Sequence, residues 1–280
     1  MIHPMSSAFR RALLVLGLCA LAACATREPE YVERPVEELY NEAMDHLQAG
    51  RWADAAAGFD EVERQHPYSQ WATRAELQGA YAHYRAGSFD LAILAAQRYL
   101  QLHPGSDGAG YANYLIAISH YEQIVDVRRD QASTQAAMAA LQLVAARYPN
   151  TEYARDAELK IDLVREHLAG KEMAIGRFYL QRGDYAAAIN RFRQVIADYQ
   201  TTSHVPEALH RLTESYLALG VVPEAQRVAA VLGYNFPGSD WYMDSYRLLA
   251  QAGVAKPLEE TPIEEVRSWW RRMVSAMTRG

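Results

Sequence analysis

Gly183-Asp184-Tyr185-Ala186-Ala187-Ala188 has counterparts in Gly50-Arg51-Trp52-Ala53-Asp54-Ala55 and Gly87-Ser88-Phe89-Asp90-Leu91-Ala92, each after an apolar helical stretch. Gly220 opens a fourth copy, with Val222 at the aromatic position and Ala225 at the small one. Gly50 to Gly87 and Gly183 to Gly220 are both 37 residues apart, and a fixed spacing of this size marks a repeat architecture. Pro67, Pro104 and Pro237 lie seventeen residues after their glycines, and Gln200 takes that place in the remaining copy. Leu39, Ala43 and Leu47 recur every four residues before Gly50, as do Ala55 and Phe59 after it, which gives each segment one apolar helical face. In such a unit the glycine closes a first helix, the alanine lets two helices approach, and the proline ends the second.

The pattern resembles the tetratricopeptide helix-turn-helix. It implies an all-α chain, a tetratricopeptide-repeat solenoid of five helix-turn-helix repeats over residues 36–252, with a C-terminal capping helix. The third repeat is irregular, because Pro104 to Pro149 spans 45 residues. Its helices are expected near 111–124 and 133–147, separated by the charged insertion Asp126-Val-Arg-Arg-Asp130. Residues 151–181 contain no strong breaker except Gly170 and Gly176 and read as a long helix, kinked or straight. Residues 239–252 add another helix, since a solenoid must cover the apolar face of its last unit. Thr261-Pro262-Ile263-Glu264 then forms a capping box with proline at the first helical position, predicting an amphipathic helix over 258–279. Its stripe of Ile263, Val266, Trp269, Trp270, Met273, Val274 and Met277 can fold back as a cap, dock on a partner, or lie on a membrane surface.

The N-terminus reads as a targeting segment. Arg10 and Arg11 precede the apolar run from Ala12 to Ala20, too short to span a bilayer and suited to a signal peptide over residues 1–23. Leu21-Ala22-Ala23-Cys24 resembles the bacterial lipobox, in which the cysteine sulfur receives a diacylglycerol and becomes the mature N-terminus. Cys24 is thus the expected lipidation site, and Ala25 after it resembles lipoproteins sent to the outer membrane. Residues 24–35, with two prolines and no apolar face, read as a flexible tether.

Composition removes several function classes. The net charge of -6 argues against a nucleic-acid partner bound through a basic surface. The only two cysteines are Cys19 and Cys24, so the body holds no disulfide framework or catalytic thiol. No phosphate-binding loop, HExxH, GxSxG or GxGxxG motif occurs, and the histidines are not grouped at metal-ligand spacing. Pairs such as Glu37-Glu38 and Glu264-Glu265 sit at helix starts, where the dipole favours acids without catalysis. The expectation is a binding scaffold, with no enzymatic activity, cofactor or metal.

Longer strings narrow the likeness: His66-Pro-Tyr-Ser-Gln-Trp71, Ala80-Tyr-Ala-His-Tyr84, Gln97-Arg-Tyr-Leu-Gln-Leu-His-Pro104, Tyr111-Ala-Asn-Tyr-Leu115, Tyr148-Pro-Asn-Thr-Glu-Tyr153 and Tyr179-Leu-Gln-Arg-Gly-Asp-Tyr185 running to Asn190-Arg191. With the lipobox, the five repeats and the insertion in the third, the chain resembles the BamD family, lipoproteins of the outer-membrane β-barrel assembly machinery. The resemblance implies a non-enzymatic, lipid-anchored protein on the periplasmic face of the outer membrane. Its partners would be the POTRA region of the insertase BamA, other lipoproteins of the machinery, and nascent outer-membrane β-barrel proteins. Another periplasmic repeat lipoprotein, serving secretin or cell-envelope assembly, is the alternative.

In tetratricopeptide registers the first helix faces the groove at its second, fifth, ninth and twelfth positions. These fall on Tyr40, Met44 and Leu47 in repeat one, Leu77, Tyr81 and Tyr84 in repeat two, and Tyr111, Tyr114, Ile118 and Tyr121 in repeat three. Tyrosine presents an apolar face with a polar tip, so such a groove suits an extended aromatic segment. Packing between adjacent helices is the other use for each of these rings. Arg191 matches a family position associated with communication to BamA, its alternative being a surface ion pair.

Overall fold

The computed structural model describes residues 32–124 and 132–254. Among these residues the chain forms eleven helices and no strand: α1 (Val36–Gln48), α2 (Trp52–Gln65), α3 (Gln70–Arg85), α4 (Phe89–Leu102), α5 (Ala109–Glu122), α6 (Ala132–Arg147), α7 (Glu152–Gln181), α8 (Tyr185–Asp198), α9 (Val205–Ala218), α10 (Val222–Asn235) and α11 (Asp240–Gln251). Cys24, the insertion at 126–130 and the segment 258–279 lie outside the described residues.

The repeated glycines explain the turns. Gly50, Gly87, Gly183 and Gly220 have φ between +73° and +78°, a left-handed conformation that a Cβ disfavours. The amide of each donates to the carbonyl three residues back, on Leu47, Tyr84, Leu180 and Leu217. The next amide donates to the carbonyl five back, on His46, His83, Tyr179 and Tyr216. These bonds satisfy carbonyls at the end of the first helix and reverse the chain into the second. After the second helices, hydroxyls restart the chain: Ser69, Thr151 and Ser239 accept from the amides of Ala72, Ala154 and Tyr242 at 3.0, 3.1 and 3.2 Å. Each such cap stabilises its helix by about 1 kcal/mol.

Each helix packs on the next, and α1, α3, α5, α7, α9 and α11 also touch one another in succession. Each even helix packs chiefly between its two odd neighbours. Helices that approach their own kind more closely form the inner layer of a curved stack, so the odd helices line the concave side. The register alanines Ala55, Ala92, Ala188 and Ala225 have no exposed surface, as expected where two helices cross closely. Phe59 and Phe192 fill the corresponding hollows of repeats one and four.

In repeat three, α5 starts two residues before the expected position and ends at Glu122, while α6 matches its expected span to one residue. The segment read as kinked or straight is one helix of 30 residues, α7, which supplies the first helix of repeat four. Gly176 lies inside it and leaves room for the Phe192 ring of α8. The final part of the expected tether is attached to the first repeat: the Arg34 amide donates to Gln65 Oε1 at 2.8 Å, Gln65 Nε2 donates to the Val32 carbonyl at 3.3 Å, and His66 Nε2 lies 2.7 Å from the Arg34 carbonyl.

Candidate functional site

Helical spacing puts Leu77, Tyr81 and Tyr84 on one face of α3, and Tyr111, Tyr114 and Tyr121 on one face of α5. All six are half-buried, and so is Tyr40 on α1. Leu77, Tyr81, Tyr84, Tyr111 and Tyr114 pack over the same buried cluster of Ala80, Ala96, Tyr99, Ala112, Leu115 and Ile118. Their rings form a row across the inner layer. Tyr81 and Tyr111 have centroids 6.4 Å apart, Tyr111 and Tyr114 6.4 Å, and both α5 rings meet Tyr153 of α7, at 5.5 and 5.2 Å.

Polar partners fix the ends of this row. At one end, the Arg85 guanidinium stacks 4.0 Å from the Trp52 ring centroid and donates to the Tyr81 hydroxyl at 2.6 Å. At the other, the Tyr114 hydroxyl donates to Asp156 Oδ2 at 2.7 Å, while Lys160 Nζ holds Oδ1 at 2.8 Å and lies 5.5 Å from the Tyr121 ring centroid. The Tyr84 hydroxyl points to Glu122 Oε1 at 3.4 Å. Burial pushes the Tyr111 and Tyr114 hydroxyls far above the ordinary phenol range, and for Tyr114 the Asp156 carboxylate adds to the effect. Burial also raises Tyr84, with Glu122 contributing. The row therefore presents neutral phenols whose rims carry both charge signs, an arrangement suited to an amphipathic extended segment.

Two of the expected groove residues stand apart from this row. Tyr40 packs 5.6 Å from Phe59 and 4.8 Å from Trp71, within the core of the first repeat, where burial raises its hydroxyl and Arg74 opposes the shift. Tyr121 packs over the next cluster along, with Leu141, Val144 and Ile161. Trp52, Arg85, Tyr153, Asp156 and Lys160 join the site without having been singled out for it in the sequence. Tyr153 is the second residue of α7, and Asp156 and Lys160 are its fifth and ninth, so the three take groove positions of that helix counted from its start. The signal available was the spacing Tyr153, Asp156, Lys160, which is one helical face.

Arg191 on α8 donates to Glu172 Oε2 of α7 at 2.9 Å; its side chain is 40% exposed and that of Glu172 12%. This pair is intramolecular, yet the guanidinium reaches solvent.

The outer layer carries two clefts at equivalent repeat positions, related by a shift of 133 residues. One, of about 650 Å³, is lined by Asp60, Glu63, His83, Leu91, Leu94 and Arg98 among others. The other, of about 680 Å³, has Arg193, Ile196, Tyr216, Glu224, Arg227 and Val231 at those places. Both carry charged side chains on apolar walls, with acids Asp60 and Glu63 in the first where the second has Arg193 and Ile196. No helix among the described residues is long and apolar enough to cross a membrane.

A family model described as "YfiO: Outer membrane lipoprotein" matches residues 32–232. The chain is 52% identical over 265 residues to the outer membrane protein assembly factor BamD of Caulobacter vibrioides, covering 93% of this chain and 87% of that protein. It is 44% identical over 238 residues to the protein of that name in Rickettsia prowazekii, covering 85% and 95% of the two chains. The Neisseria meningitidis serogroup A protein of that name is 32% identical over 248 residues, with 83% and 92% covered.

Proposed function

The chain belongs to the BamD family of outer-membrane protein assembly factors, and from that premise we propose that its inner face receives the aromatic C-terminal strand of nascent β-barrel proteins. The observation that carries this reading is the continuous row of Tyr81, Tyr111, Tyr114 and Tyr153 across three successive inner helices. An extended peptide laid across that row meets a new aromatic face at each helix, which gives affinity without fixing sequence. Leu77 and Tyr84 widen the row, while Tyr40 and Tyr121 border it on the flanking repeats.

In this reading the protein is a non-enzymatic scaffold, with its task divided along the solenoid. Repeats one to three hold substrate, and the C-terminal repeats hold the POTRA region of BamA and other lipoproteins of the machinery. Arg191 contributes a guanidinium to the BamA contact, its orientation set by Glu172. A lipid on Cys24 attaches the whole to the periplasmic face of the outer membrane.

Replacing Tyr81, Tyr84 and Tyr114 together with alanine is expected to weaken binding of a barrel C-terminal peptide roughly tenfold or more, as for the loss of anchors worth above about 1 kcal/mol. Unchanged affinity in a variant of normal helicity would remove the groove from the account. Recovery of BamA with the tagged, lipidated protein from detergent-solubilised envelopes tests the partner separately, with Cys24→Ala as the unlipidated control.

A further inference from the structure

Arg85 puts a positive charge at the α3 end of the tyrosine row, where the fold itself does not require one. It is the last residue of α3, two before Gly87, and the residues two before Gly50, Gly183 and Gly220 are Gln48, Gln181 and Ala218. The turn therefore forms without a cation at this place. Arg51, Arg64 and Arg98 of the same two repeats are matched by Asp54, Glu61 and Glu63, whereas no carboxylate among the described residues pairs with Arg85. Glu122 and Asp156, the acids of the row, accept from Tyr84 and Tyr114 instead. What holds Arg85 is aromatic: its guanidinium lies 4.0 Å from the Trp52 ring centroid and 5.7 Å from that of Tyr81, to whose hydroxyl it donates. The helix dipole favours a cation at the end of α3, but it does not call for a stack on a ring of another helix. Stacking keeps the guanidinium plane in place, while the exposed side chain has further N–H groups to give to a ligand.

We propose that Arg85 binds the terminal carboxylate of the incoming strand and so decides which of its ends lies over α3; this rests on the inner face being the substrate groove. The last residue of such a strand carries an aromatic ring and a free carboxylate together, and Trp52, Tyr81 and Arg85 offer ring faces and a guanidinium side by side. A guanidinium can fork onto both carboxylate oxygens, which the single carbonyl oxygen of an internal peptide group cannot match. The charge also reaches further along the row, where it opposes the effect of burial on the Tyr84 and Tyr111 hydroxyls. From Arg85 the strand runs toward α7. Alternate residues of a strand return to one face about every 6.7 Å. The Tyr81, Tyr111 and Tyr153 rings follow one another at 6.4 and 5.5 Å, so alternate side chains counted back from the chain end meet successive rings. The site thereby tells the end of a chain from an internal strand of the same composition.

Fluorescence anisotropy with the full-length, lipidated protein in detergent tests it. The probe is one peptide of about ten residues, alternating apolar and polar and ending in phenylalanine, made as the free acid and as the C-terminal amide. The free acid is expected to bind roughly tenfold tighter than the amide, a comparison that needs no variant. In Arg85→Gln the acid should fall to the affinity of the amide, and Arg85→Lys should restore part of the difference, because an ammonium keeps the charge without the fork. Alanine at Tyr81, Tyr84 and Tyr114 together should weaken both forms. Equal binding of acid and amide, weakened alike by the triple variant, would overturn the carboxylate site and leave the groove standing. A preference for the acid that survives in Arg85→Gln would also overturn it. Absence of binding by either form, or normal binding of both by the triple variant, would remove the groove itself and the role of Arg85 with it.

Discussion

Gly176 lies directly beneath Phe192: a methyl group built on that glycine would meet the ring at 2.5 Å. Phe192 is fully buried between α7 and α9 and has nowhere to retreat. Helix propensity alone favours alanine over glycine by about 1 kcal/mol. Overpacking a filled core costs about 1 to 3 kcal/mol and should win. Gly176→Ala is therefore expected to lower stability by about 1 kcal/mol in urea denaturation, whereas a helix free of this contact would gain.

The raised tyrosine hydroxyls give a pH dependence with a definite sign. Tyr111 and Tyr114 favour the neutral phenol when folded, so the unfolded chain loses its protons first, near pH 10. Their stabilising contribution is complete below pH 10 and is lost as pH rises from there toward the folded values. Thermal midpoints should fall steeply above pH 10, and the fall should be shallower in Tyr111→Phe, which keeps the ring and removes the titrating group.

Tyr153 touches both groove rings of α5, whereas Tyr121 packs mainly over the neighbouring cluster. Tyr153→Ala should thus weaken a barrel C-terminal peptide by about 1 to 2 kcal/mol, and more than Tyr121→Ala does. Isothermal titration with the two single variants compares them directly; the reverse order would move the site away from Tyr153 and onto the cluster beneath Tyr121.

His210 is buried, with Nδ1 2.9 Å from the Ser245 hydroxyl and its ring 5.2 Å from Trp241. Burial, reinforced by Arg211, lowers its pKa, so the fold favours neutral imidazole. That contribution is present above the ordinary value near 6.5 and is lost as pH falls through the folded value. Unfolding followed by Trp241 fluorescence should show repeat five weakening as pH falls below the ordinary imidazole range, and His210→Phe should flatten the profile.

The Arg191 and Glu172 pair separates two roles that a single substitution would confuse. With the guanidinium 40% exposed, a double-mutant cycle should give a coupling of about 1 kcal/mol or less. If Arg191 serves BamA, Arg191→Leu lowers affinity for the POTRA region while Glu172→Gln largely preserves it. Equal losses from both would identify the pair as a local brace.

Much of this architecture was legible because repeat proteins write their turns into the sequence. Gly50, Gly87, Gly183 and Gly220 occupy backbone positions that other residues disfavour, so their spacing reported the helix pairs before any contact was known. Gly176 was not legible in this way: a glycine required by a neighbour's ring looks the same in sequence as one that breaks a helix. The groove was half legible for a related reason. Register assigns a residue to a helix face, which located Tyr81, Tyr111 and Tyr114, but only assembly shows which ring on another helix completes the surface. Tyr153 enters from the first turn of a helix twice the usual length, and Tyr40 is drawn off by Phe59 and Trp71.

The anchoring of Val32 and Arg34 to Gln65 and His66 shortens the leash between fold and lipid. If Cys24 carries the proposed lipid, the eight steps from it to Val32 span at most roughly 29 Å even when fully extended. A lipid there would keep the first repeat within that length of the bilayer. If the tyrosine row receives barrel substrates as proposed, lengthening the leash, with no change to any contact, should alter the efficiency of barrel delivery.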